Sequence, residues 1–516
     1  MDRTQVSGTC DEGSIPSRGI ERKIAMKNLL KNLFLNLQLN KMLEKILRFL
    51  EKYIIPRFIF KWGQPIYHSF LSFSAGLCYG FPSRKMIVIG VTGTGGKSTV
   101  VNLIAKVLEE AGFKVGLTST MNFKINKKEW LNKTKMTMLG RFALQKLLKE
   151  MVKAGCQYAI LETSSEGIRQ YRHLNIDYDI AVLTNLTPEH IESHGGFENY
   201  KKTKGKLFQN LTNYKRKQIM IKGEKTKIKK ISVINLDDEN ADYFLRFEAD
   251  EKNGYGINFQ FSIFPEGEPL APYGAGNFQT NLKSRKINRV RAEKISLTKN
   301  RSNFFVNGIE FNLKLLGEFN ICNALAAAST CLSQGINLET IKVALEKVES
   351  FPGRMEEIKQ GQNFRVFIDY AHTPDSLEKV YQMVSGKEFK NKDSKIISVF
   401  GSAGGGRDKS KRPILGELAA KYSDYIIITN EDPYDEDPLE IMGQISQGVK
   451  KDFQKKEGFN FWQILDRKEA IKKALLLAKP NDIVLITGKG SEQCIMGPKG
   501  ERIPWNDYLI VKELLA

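Results

Sequence analysis

A glycine-rich loop between a predicted strand and a predicted helix constrains the fold of this chain more than any other feature. The apolar segment 86–91 precedes the loop, and a helical pattern over residues 97–111 follows it. Glycines let backbone N–H groups turn towards phosphate oxygens, and the helix N-terminus adds its positive end. The loop consists of Gly93, Thr94, Gly95, Gly96, Lys97, Ser98 and Thr99.

Two side chains of this loop suit a nucleoside triphosphate. In phosphate loops the lysine, here Lys97, neutralises the β- and γ-phosphates, and the next hydroxyl, here Ser98, ligates Mg²⁺. The spacing is one residue longer than usual, because Gly90 lies six positions before Gly96. A plain glycine turn would carry Gly-Lys-Ser-Thr at a strand–helix junction only by chance. The loop therefore predicts nucleotide binding, and by itself it leaves a kinase, a GTPase, an ATPase motor and a ligase open.

Alternating apolar strands and helices predict an α/β fold with two domains. We expect a central phosphate-loop ATPase domain with a parallel sheet over residues 86–350, and a Rossmann-like α/β domain over residues 351–516. Phe-Pro-Gly at 351–353 marks the linker, and residues 231–316 look rich in β-structure. Further strands are predicted at 115–117, 159–162, 180–184, 364–369, 396–400, 425–429 and 483–487, and further helices at 320–332 and 338–348.

The N-terminal part of the sequence differs from the rest. Residues 1–25 are polar and aperiodic, which predicts a disordered tail, and residues 26–85 predict a basic helical arm that precedes the central domain. Leucines recur at helical spacing over residues 26–62 among lysines and arginines. Such a helix attaches to an anionic membrane surface or packs on the body of its own protein. Both interpretations stay open from the sequence.

The formal net charge of +21, from 79 basic and 58 acidic residues, limits the partner classes. Such an excess suits nucleic acid, an anionic membrane surface or phosphate-rich substrates, and it also fits a merely lysine-rich composition. No basic run carries the interleaved aromatic residues of an RNA-binding segment, so no nucleic-acid partner is expected. Six scattered cysteines without a CxxC pair indicate a reducing compartment, so a cytoplasmic location is expected, with the inner membrane surface as an extension of it.

Nine short segments together resemble the Mur ligase family, most of all its UDP-N-acetylmuramyl-tripeptide synthetases. The first is the phosphate loop itself. The others follow in family order over residues 86–516: Glu162-Thr-Ser-Ser-Glu-Gly, Thr184-Asn-Leu-Thr-Pro-Glu-His190, Tyr200-x-x-x-Lys204, Gly317-Glu-Phe-Asn320, Gly353-Arg354-Met-Glu, Asp369-Tyr-Ala-His372-Thr-Pro-Asp, Arg407-Asp-Lys-x-Lys-Arg412 and Gly488-Lys-Gly-x-Glu492. Each motif alone is weak, but their shared order makes coincidence implausible.

The resemblance implies an ATP-dependent ligase of peptidoglycan precursor synthesis. ATP would phosphorylate a carboxylate of a UDP-muramyl-dipeptide, and the amine of an amino acid would displace phosphate from the acyl phosphate. The chemistry requires cations, because the γ-phosphate and the carboxylate are both anions. ATP and Mg²⁺ are the cofactors that the resemblance implies, and a UDP-muramyl-peptide and an amino acid are the substrates.

The resemblance also assigns residues to the nucleotide and metal side. Lys97, Glu162, His190 and Lys204 match the family's catalytic positions. Ser98, Glu162 and His190 match metal ligands, and Lys204 matches a lysine whose carbamylation creates a further ligand. The positions that match nucleotide contacts outside the phosphate loop are Asn320, Arg354, Asp369 and His372.

A second group of residues matches positions around the sugar-peptide and the incoming amino acid. Thr137, Ser164, Gln170 and Arg172 match contacts to the sugar-peptide. Arg407 and Glu492 match positions around the head and amine of the amino acid. The remaining residues at positions that contact the substrate in the family are Glu431, Asp432, Pro433, Tyr434 and Gly488.

Three departures from the family pattern have consequences. Residues 1–85 do not resemble the N-terminal domain with which the family holds uridine. Glu166 stands where the family has histidine. Glu431-Asp432-Pro433-Tyr434 replaces Asp-Asn-Pro-Arg, so the arginine that holds the distal carboxylate of diaminopimelate is missing. Acids at that place repel a carboxylate and attract an ammonium, which predicts a basic amino acid such as lysine or ornithine.

Two other functions compete with a muramyl-peptide ligase. One is another ligase of the same superfamily, of the folylpolyglutamate or cyanophycin type, which substrate profiling would distinguish. The other is a membrane-associated nucleotide-binding scaffold without activity, which the intact set Lys97, Glu162, His190 and Lys204 disfavours.

Overall fold

The computed structural model describes residues 57–189, 191–221, 223–259, 287–452 and 454–516. Two compact units divide the chain, residues 1–68 and residues 69–516, and the sheets and the site lie in the second. The predicted tail at 1–25 and most of the predicted leucine-rich helix lie outside the described residues. Within the described residues, no helix combines the length and the apolar character needed to cross a membrane.

The helices and strands of the first part of the chain build one large sheet and its covering layers. The helices are α1 Arg57–Tyr79, α2 Lys97–Glu110, α3 Arg141–Lys153, α4 Ser165–Arg169, α5 Ile191–His194, α6 Phe197–Gln209, α7 Ala241–Leu245, α8 Glu318–Leu332 and α9 Leu338–Glu346. The strands are β1 Ile87–Thr92, β2 Val115–Thr118, β3 Asn122–Ile125, β4 Lys128–Leu131, β5 Tyr158–Glu162, β6 Ile180–Leu183, β7 Gln218–Ile221, β8 Glu224–Lys227, β9 Ile231–Asn235, β10 Glu251–Gly256, β11 Ile287–Arg291, β12 Glu293–Leu297, β13 Ser302–Val306 and β14 Ile309–Leu313.

The second part of the chain builds a smaller sheet. Its strands are β15 Glu356–Ile358, β16 Arg365–Ile368, β17 Ile396–Phe400, β18 Tyr425–Thr429, β19 Phe461–Ile464, β20 Ile483–Ile486, β21 Cys494–Met496 and β22 Arg502–Pro504. Its helices are α10 Pro374–Ser385, α11 Lys411–Tyr422, α12 Pro438–Val449, α13 Arg467–Leu477 and α14 Asp507–Leu515.

The larger sheet has nine strands in the order β11-β10-β9-β6-β1-β5-β2-β3-β4. The pairs from β11 through β2 are parallel, and β3 and β4 extend the sheet as an antiparallel hairpin. Strand β1 is buried along its whole length, as expected of a central strand in a sheet covered on both faces. Helices α2, α8 and α9 contribute to the apolar core on one face, and α3 and α6 contribute to the core on the other.

The smaller sheet has the order β15-β16-β20-β17-β18-β19, and all of its pairs are parallel except β15 with β16. Helices α10, α11 and α12 pack on one face of it, and α13 and α14 pack on the other. The α/β prediction with parallel sheets is thus confirmed, and the strands lie within one or two residues of the predicted ranges. The segment 231–316 contains strands β9 to β14 together with the short helix α7, with residues 260–286 outside the description.

Candidate active site

Strand register brings the polar ends of three neighbouring strands together. In the parallel pairing Val91 lies opposite Glu162, and Thr92 lies opposite Leu183. The phosphate loop leaves β1 at this edge, Glu162 ends β5, and Thr184 directly follows β6. Because the carboxyl ends of parallel strands collect at one edge, residues far apart in sequence share one site.

The phosphate loop is held in shape by side chains that reach it from neighbouring segments. Asn185 Oδ1 accepts a hydrogen bond from the Gly95 N–H at 2.8 Å, and Thr184 Oγ1 donates to the Gly95 carbonyl at 2.6 Å. Gly93 has a φ of 149°, and a Cβ there would lie 1.9 Å from Thr184 Oγ1, so only glycine fits. Gly96, with a φ of 78°, begins helix α2. The loop therefore presents the positive end of α2 to the cleft.

Glu162 is hydrogen-bonded to the phosphate loop. It is 2% exposed and accepts hydrogen bonds from Ser98 Oγ at 2.7 Å and from the Thr120 N–H at 2.7 Å. Thr120 Oγ1 also donates to Glu162 at 3.0 Å and lies 3.0 Å from Thr137 Oγ1. Oxygen atoms of Ser98, Thr120, Thr137 and Glu162 thus form one connected group beside the loop. Hard oxygen donors of this kind suit Mg²⁺.

Lys204 is buried on helix α6 against the phosphate loop. Its side chain is 1% exposed, its Nζ donates to the Gly93 carbonyl at 2.7 Å, and it lies 4.4 Å from the centre of the Tyr200 ring. Burial, together with the charge of Lys97, holds the pKa of Lys204 well below its usual value. A lowered pKa favours the neutral amine, which is the form that reacts with carbon dioxide. His190 lies outside the described residues.

Three of the residues predicted to hold the sugar-peptide, Ser164, Gln170 and Arg172, make hydrogen bonds on or next to helix α4. Ser164 caps helix α4 by accepting from the Gly167 N–H at 3.1 Å. Gln170 Nε2 donates to Glu166 at 2.6 Å, and Arg172 donates to Gln170 at 2.5 Å. The acid that replaces the family histidine is therefore engaged, and although burial alone raises the pKa of Glu166, hydrogen bonds from Arg169 and Gln170 bring it below its usual value.

On the C-terminal side, Asp369 follows strand β16 and anchors its own loop. Its two oxygens accept from the Met355 and Ala371 N–H groups at 2.7 Å each, and burial raises the pKa of Asp369. The Arg354 guanidinium lies 4.5 Å from the Tyr370 ring centre. His372 Nδ1 lies 2.8 Å from the Tyr370 carbonyl, and its Nε2 lies 3.6 Å from Glu189 across the cleft.

The acidic segment after β18 is paired with lysines rather than left free. Asp432 lies 2.8 Å from Lys489 and 2.7 Å from Lys135, and Glu492 lies 2.7 Å from each of the same two lysines. Although burial alone raises the pKa of Asp432, the two ammonium groups bring it below its usual value. Of the acids on which the prediction of a basic amino acid rests, Asp432 therefore no longer offers an unpaired charge.

Glu431 behaves differently from Asp432. It is 4% exposed, it faces the cleft, and its Oε2 has no hydrogen-bond partner among the described residues. A Cβ on Gly488, whose φ is 100°, would lie 2.3 Å from that oxygen, so glycine is required beside it. Lys411 also lines the cleft; burial lowers the pKa of Lys411, and Glu431 opposes that effect.

One cleft of about 630 Å³ collects most of the predicted site residues. Gln170, Arg172 and Pro433 do not line it. The predicted residues that do are Gly93, Thr94, Gly95, Gly96, Lys97, Ser98, Thr99, Thr137, Glu162, Ser164, Lys204, Asn320, Arg354, Asp369, His372, Arg407, Glu431, Asp432, Tyr434, Gly488 and Glu492.

Sequence reasoning missed several residues that the structure brings into the cleft. Thr120 and Lys135 lie on loops outside every motif, and Lys411 sits inside a motif that contributed only Arg407 to the prediction. Asn323 lies one helical turn after Asn320, donates to its side chain at 3.0 Å and packs against Gly96. The i, i+3 spacing on α8 was the available signal for Asn323; Lys135 had none.

Comparison with known proteins identifies related sequences over most of the chain. The description "Mur ligase middle domain" matches residues 91–331, and "Mur ligase, glutamate ligase domain" matches residues 353–490. A UDP-N-acetylmuramyl-tripeptide synthetase of Roseiflexus sp. (strain RS-1) is 36% identical over 448 residues, which covers 86% of this chain and 81% of that protein.

Solved structures are similar as well. A UDP-N-acetylmuramoyl-L-alanyl-D-glutamate–2,6-diaminopimelate ligase has 29% identity and a TM-score of 0.51, covering 84% of this chain and 78% of the other. A folylpolyglutamate synthase of Mycobacterium tuberculosis has a TM-score of 0.57 at 14% identity, covering 81% and 91%. The second similarity is one of fold alone.

Proposed function

Because the chain belongs to the Mur ligase family, we propose that it is an ATP-dependent ligase that adds an amino acid to a UDP-muramyl-dipeptide in peptidoglycan precursor synthesis. One observation carries the proposal. The phosphate loop with Glu162 and Lys204, and the C-terminal residues Asp369, Arg407 and Glu492, line the same cleft. A single cleft can therefore hold the nucleotide and the two groups to be joined.

The proposed reaction has two steps. A carboxylate oxygen of the peptide attacks the γ-phosphorus of ATP, which forms an acyl phosphate and releases ADP. The neutral amine then attacks the acyl carbon, the amide bond forms, inorganic phosphate leaves, and the amine gives up one proton. Lys97 lines the cleft with its Nζ 2.7 Å from the Thr94 carbonyl, and it would turn to the transferred phosphoryl group and stabilise its charge.

The residues beside the phosphate loop fit a bound Mg²⁺. No group of three or more His, Cys, Asp or Glu side chains in the described part of the chain is placed to hold a metal ion. We propose instead a mixed set of oxygen ligands from Ser98, Glu162 and a carbamylated Lys204, with His190 as a further ligand. The metal would neutralise phosphate charge. Calorimetry is expected to show that Mg²⁺-dependent binding of ADP weakens in Glu162→Gln.

Product analysis tests the proposed function directly. The full chain is incubated with ATP, Mg²⁺, UDP-muramyl-dipeptide and single amino acids, and products are identified by mass. We expect an amide product and stoichiometric inorganic phosphate with at least one amino acid. Turnover with a folate and glutamate, without turnover of the muramyl substrate, would favour the folylpolyglutamate alternative and contradict the proposal.

We also propose contact between helix α1 and the anionic inner surface of the cytoplasmic membrane. Phe70, Phe73 and Leu77 are 66%, 50% and 64% exposed, and their spacing places them on one face of the helix. Helix α1 contains no acidic residue, and residues 26–62 carry eight Lys or Arg residues against two Glu. An apolar face next to basic residues suits an anionic lipid surface.

Sedimentation with lipid vesicles tests this contact. We expect the full chain to bind vesicles that contain phosphatidylglycerol, to bind neutral vesicles weakly, and to lose binding in the double variant Phe70→Ser/Phe73→Ser. Leu476→Ser is the matched control, because Leu476 is 76% exposed on helix α13. Equal binding of both variants would contradict the proposal.

A further inference from the structure

Two acids and two lysines form a charge cluster at the C-terminal end of the cleft. Asp432 follows β18 and Glu492 follows β20, and both are bonded to Lys489, which is 0% exposed at its side chain. These three residues alone carry a net charge of −1. Lys135, from the loop that joins β4 to α3 in the other domain, completes the cluster to neutrality.

The two lysines of this cluster differ in the groups to which they donate hydrogen bonds. Lys489 donates to Asp432, Glu492 and the Cys494 carbonyl, at 2.8, 2.7 and 2.7 Å, so its three N–H groups are used within its own domain. Among the described residues, Lys135 donates to the two acids alone, and it lines the cleft. Lys489 is therefore a permanent part of the fold, whereas Lys135 is exchangeable.

The backbone at Lys135 is arranged to deliver its side chain to the acids. Its φ of 58° lies in the left-handed region, which is unfavourable for a residue other than glycine. Asn132 holds the loop by donating to the carbonyls of Ser119 and Met136, at 2.9 and 3.0 Å. From the other domain, Arg502 donates to the Lys133 carbonyl at 3.2 Å.

We propose that Lys135 is a placeholder for the incoming amino acid, a substrate that rests on the function proposed above. Its ammonium occupies the position between Asp432 and Glu492 that Lys489 leaves open, until the ammonium of the amino acid displaces it. Both are primary ammonium groups with three N–H donors, and Asp432 and Glu492 together carry one negative charge more than Lys489 neutralises. Lys135 therefore sets the apparent affinity for the amino acid by competing with it.

The loop that carries Lys135 also contacts the phosphate side of the cleft. Thr137, two residues further along this loop, lies 3.0 Å from Thr120 Oγ1, and Thr120 Oγ1 lies 3.0 Å from the carboxylate of Glu162. The loop is thus connected through two hydrogen bonds to the acid beside the phosphate loop.

Steady-state kinetics of charge variants test the proposal. Lys135→Met removes the ammonium and keeps the apolar stem, so we expect KM for the amino acid to fall about fivefold or more while KM for ATP stays unchanged. Lys135→Arg keeps a cation and should stay near the wild type. Lys133→Met is the matched control, because Lys133 is exposed on the same loop.

A labelling experiment on the unmodified sequence gives a second readout. An amine-reactive reagent is expected to modify Lys135 faster when the amino acid saturates the full chain, with no change at Lys133. A rise in KM in Lys135→Met, or labelling of Lys135 that the amino acid does not change, would overturn the proposal. Failure of the proposed function looks different, because the wild type would then form no amide product at all.

Discussion

At the scale of single residues, the sequence predicts the site residues that lie within motifs, and only the structure reveals the others. Lys97, Glu162 and Lys204 were predicted from motifs, and they lie in one cleft because each follows or faces the carboxyl edge of the large sheet. Lys135 could not be predicted, because its proposed role depends on its contact with Asp432, which is 297 positions away in the sequence. A motif records neighbours in sequence, and a contact of that separation depends on the whole fold.

Lys97→Ala is expected to lower kcat on the order of a hundredfold or more, because the transferred phosphoryl group loses the cation of the phosphate loop. Lys106→Ala is the matched control, since Lys106 lies exposed on the same helix α2. Phosphate release assays measure the rate, and circular dichroism checks the fold. A folded Lys97→Ala protein with unchanged kcat would contradict the assignment of the phosphate loop.

Carbamylation of Lys204 gives a prediction with a definite pH direction. Burial lowers the pKa of Lys204, so the neutral amine that takes up carbon dioxide is favoured, and acidification protonates it. We expect activity to fall as pH decreases and bicarbonate to oppose that fall. Lys204→Ala should lose activity and recover part of it with a short carboxylic acid. Full activity of Lys204→Ala without additives would show that no carbamate is needed.

At the scale of secondary-structure elements, the sequence predicted the strands better than the ion pairs that join one element to another. The predicted strands at 396–400 and 425–429 coincide with β17 and β18, because short apolar runs bounded by polar residues are typical of buried strands. The ion pair between helices α13 and α14, formed by Arg467 and Asp507, was not predicted. Arg467 and Asp507 are both almost fully buried, and Arg467 also donates to the carbonyls of Asn430 and Thr487.

This ion pair predicts a large and specific loss of stability. Asp507→Asn leaves the Arg467 guanidinium buried without its charge partner, so we expect about 3–5 kcal/mol lower free energy of unfolding. Glu513→Gln removes an exposed partner of Lys468 on the same two helices and should cost less than about 1 kcal/mol. Urea titrations of both variants measure the difference. Equal losses would contradict the role of burial.

At the scale of the whole molecule, residues of two domains line the C-terminal end of the cleft. Lys135 comes from the central domain, and Glu431, Asp432 and Glu492 come from the C-terminal domain. The sequence predicted the two α/β units and their acids, but it treated Asp432 as a free charge. Only the packing of one domain against the other shows that this charge is neutralised, so under the proposed function both domains contribute to selection of the amino acid.

We expect lysine or ornithine to be preferred over meso-diaminopimelate, now on the basis of Glu431. Its buried Oε2 has no hydrogen-bond partner in the described part of the chain and attracts a distal ammonium, whereas a distal carboxylate would be repelled. Side-by-side kcat/KM values measure the preference, and Glu431→Gln should reduce it. Asp435→Asn is the control, because Asp435 does not line the cleft. A clear preference for diaminopimelate would contradict the electrostatic argument.

The strand order of the smaller sheet has a consequence for how the chain is made. Strand β20, Ile483–Ile486, lies between β16 and β17, so a strand synthesised late occupies the middle of the sheet. Until the ribosome has released residue 486, β16 and β17 expose unpaired edges and apolar faces, which favour aggregation. A premature stop codon before β20 would therefore remove the centre of the domain rather than its margin, and such a product is a substrate for chaperones and proteases.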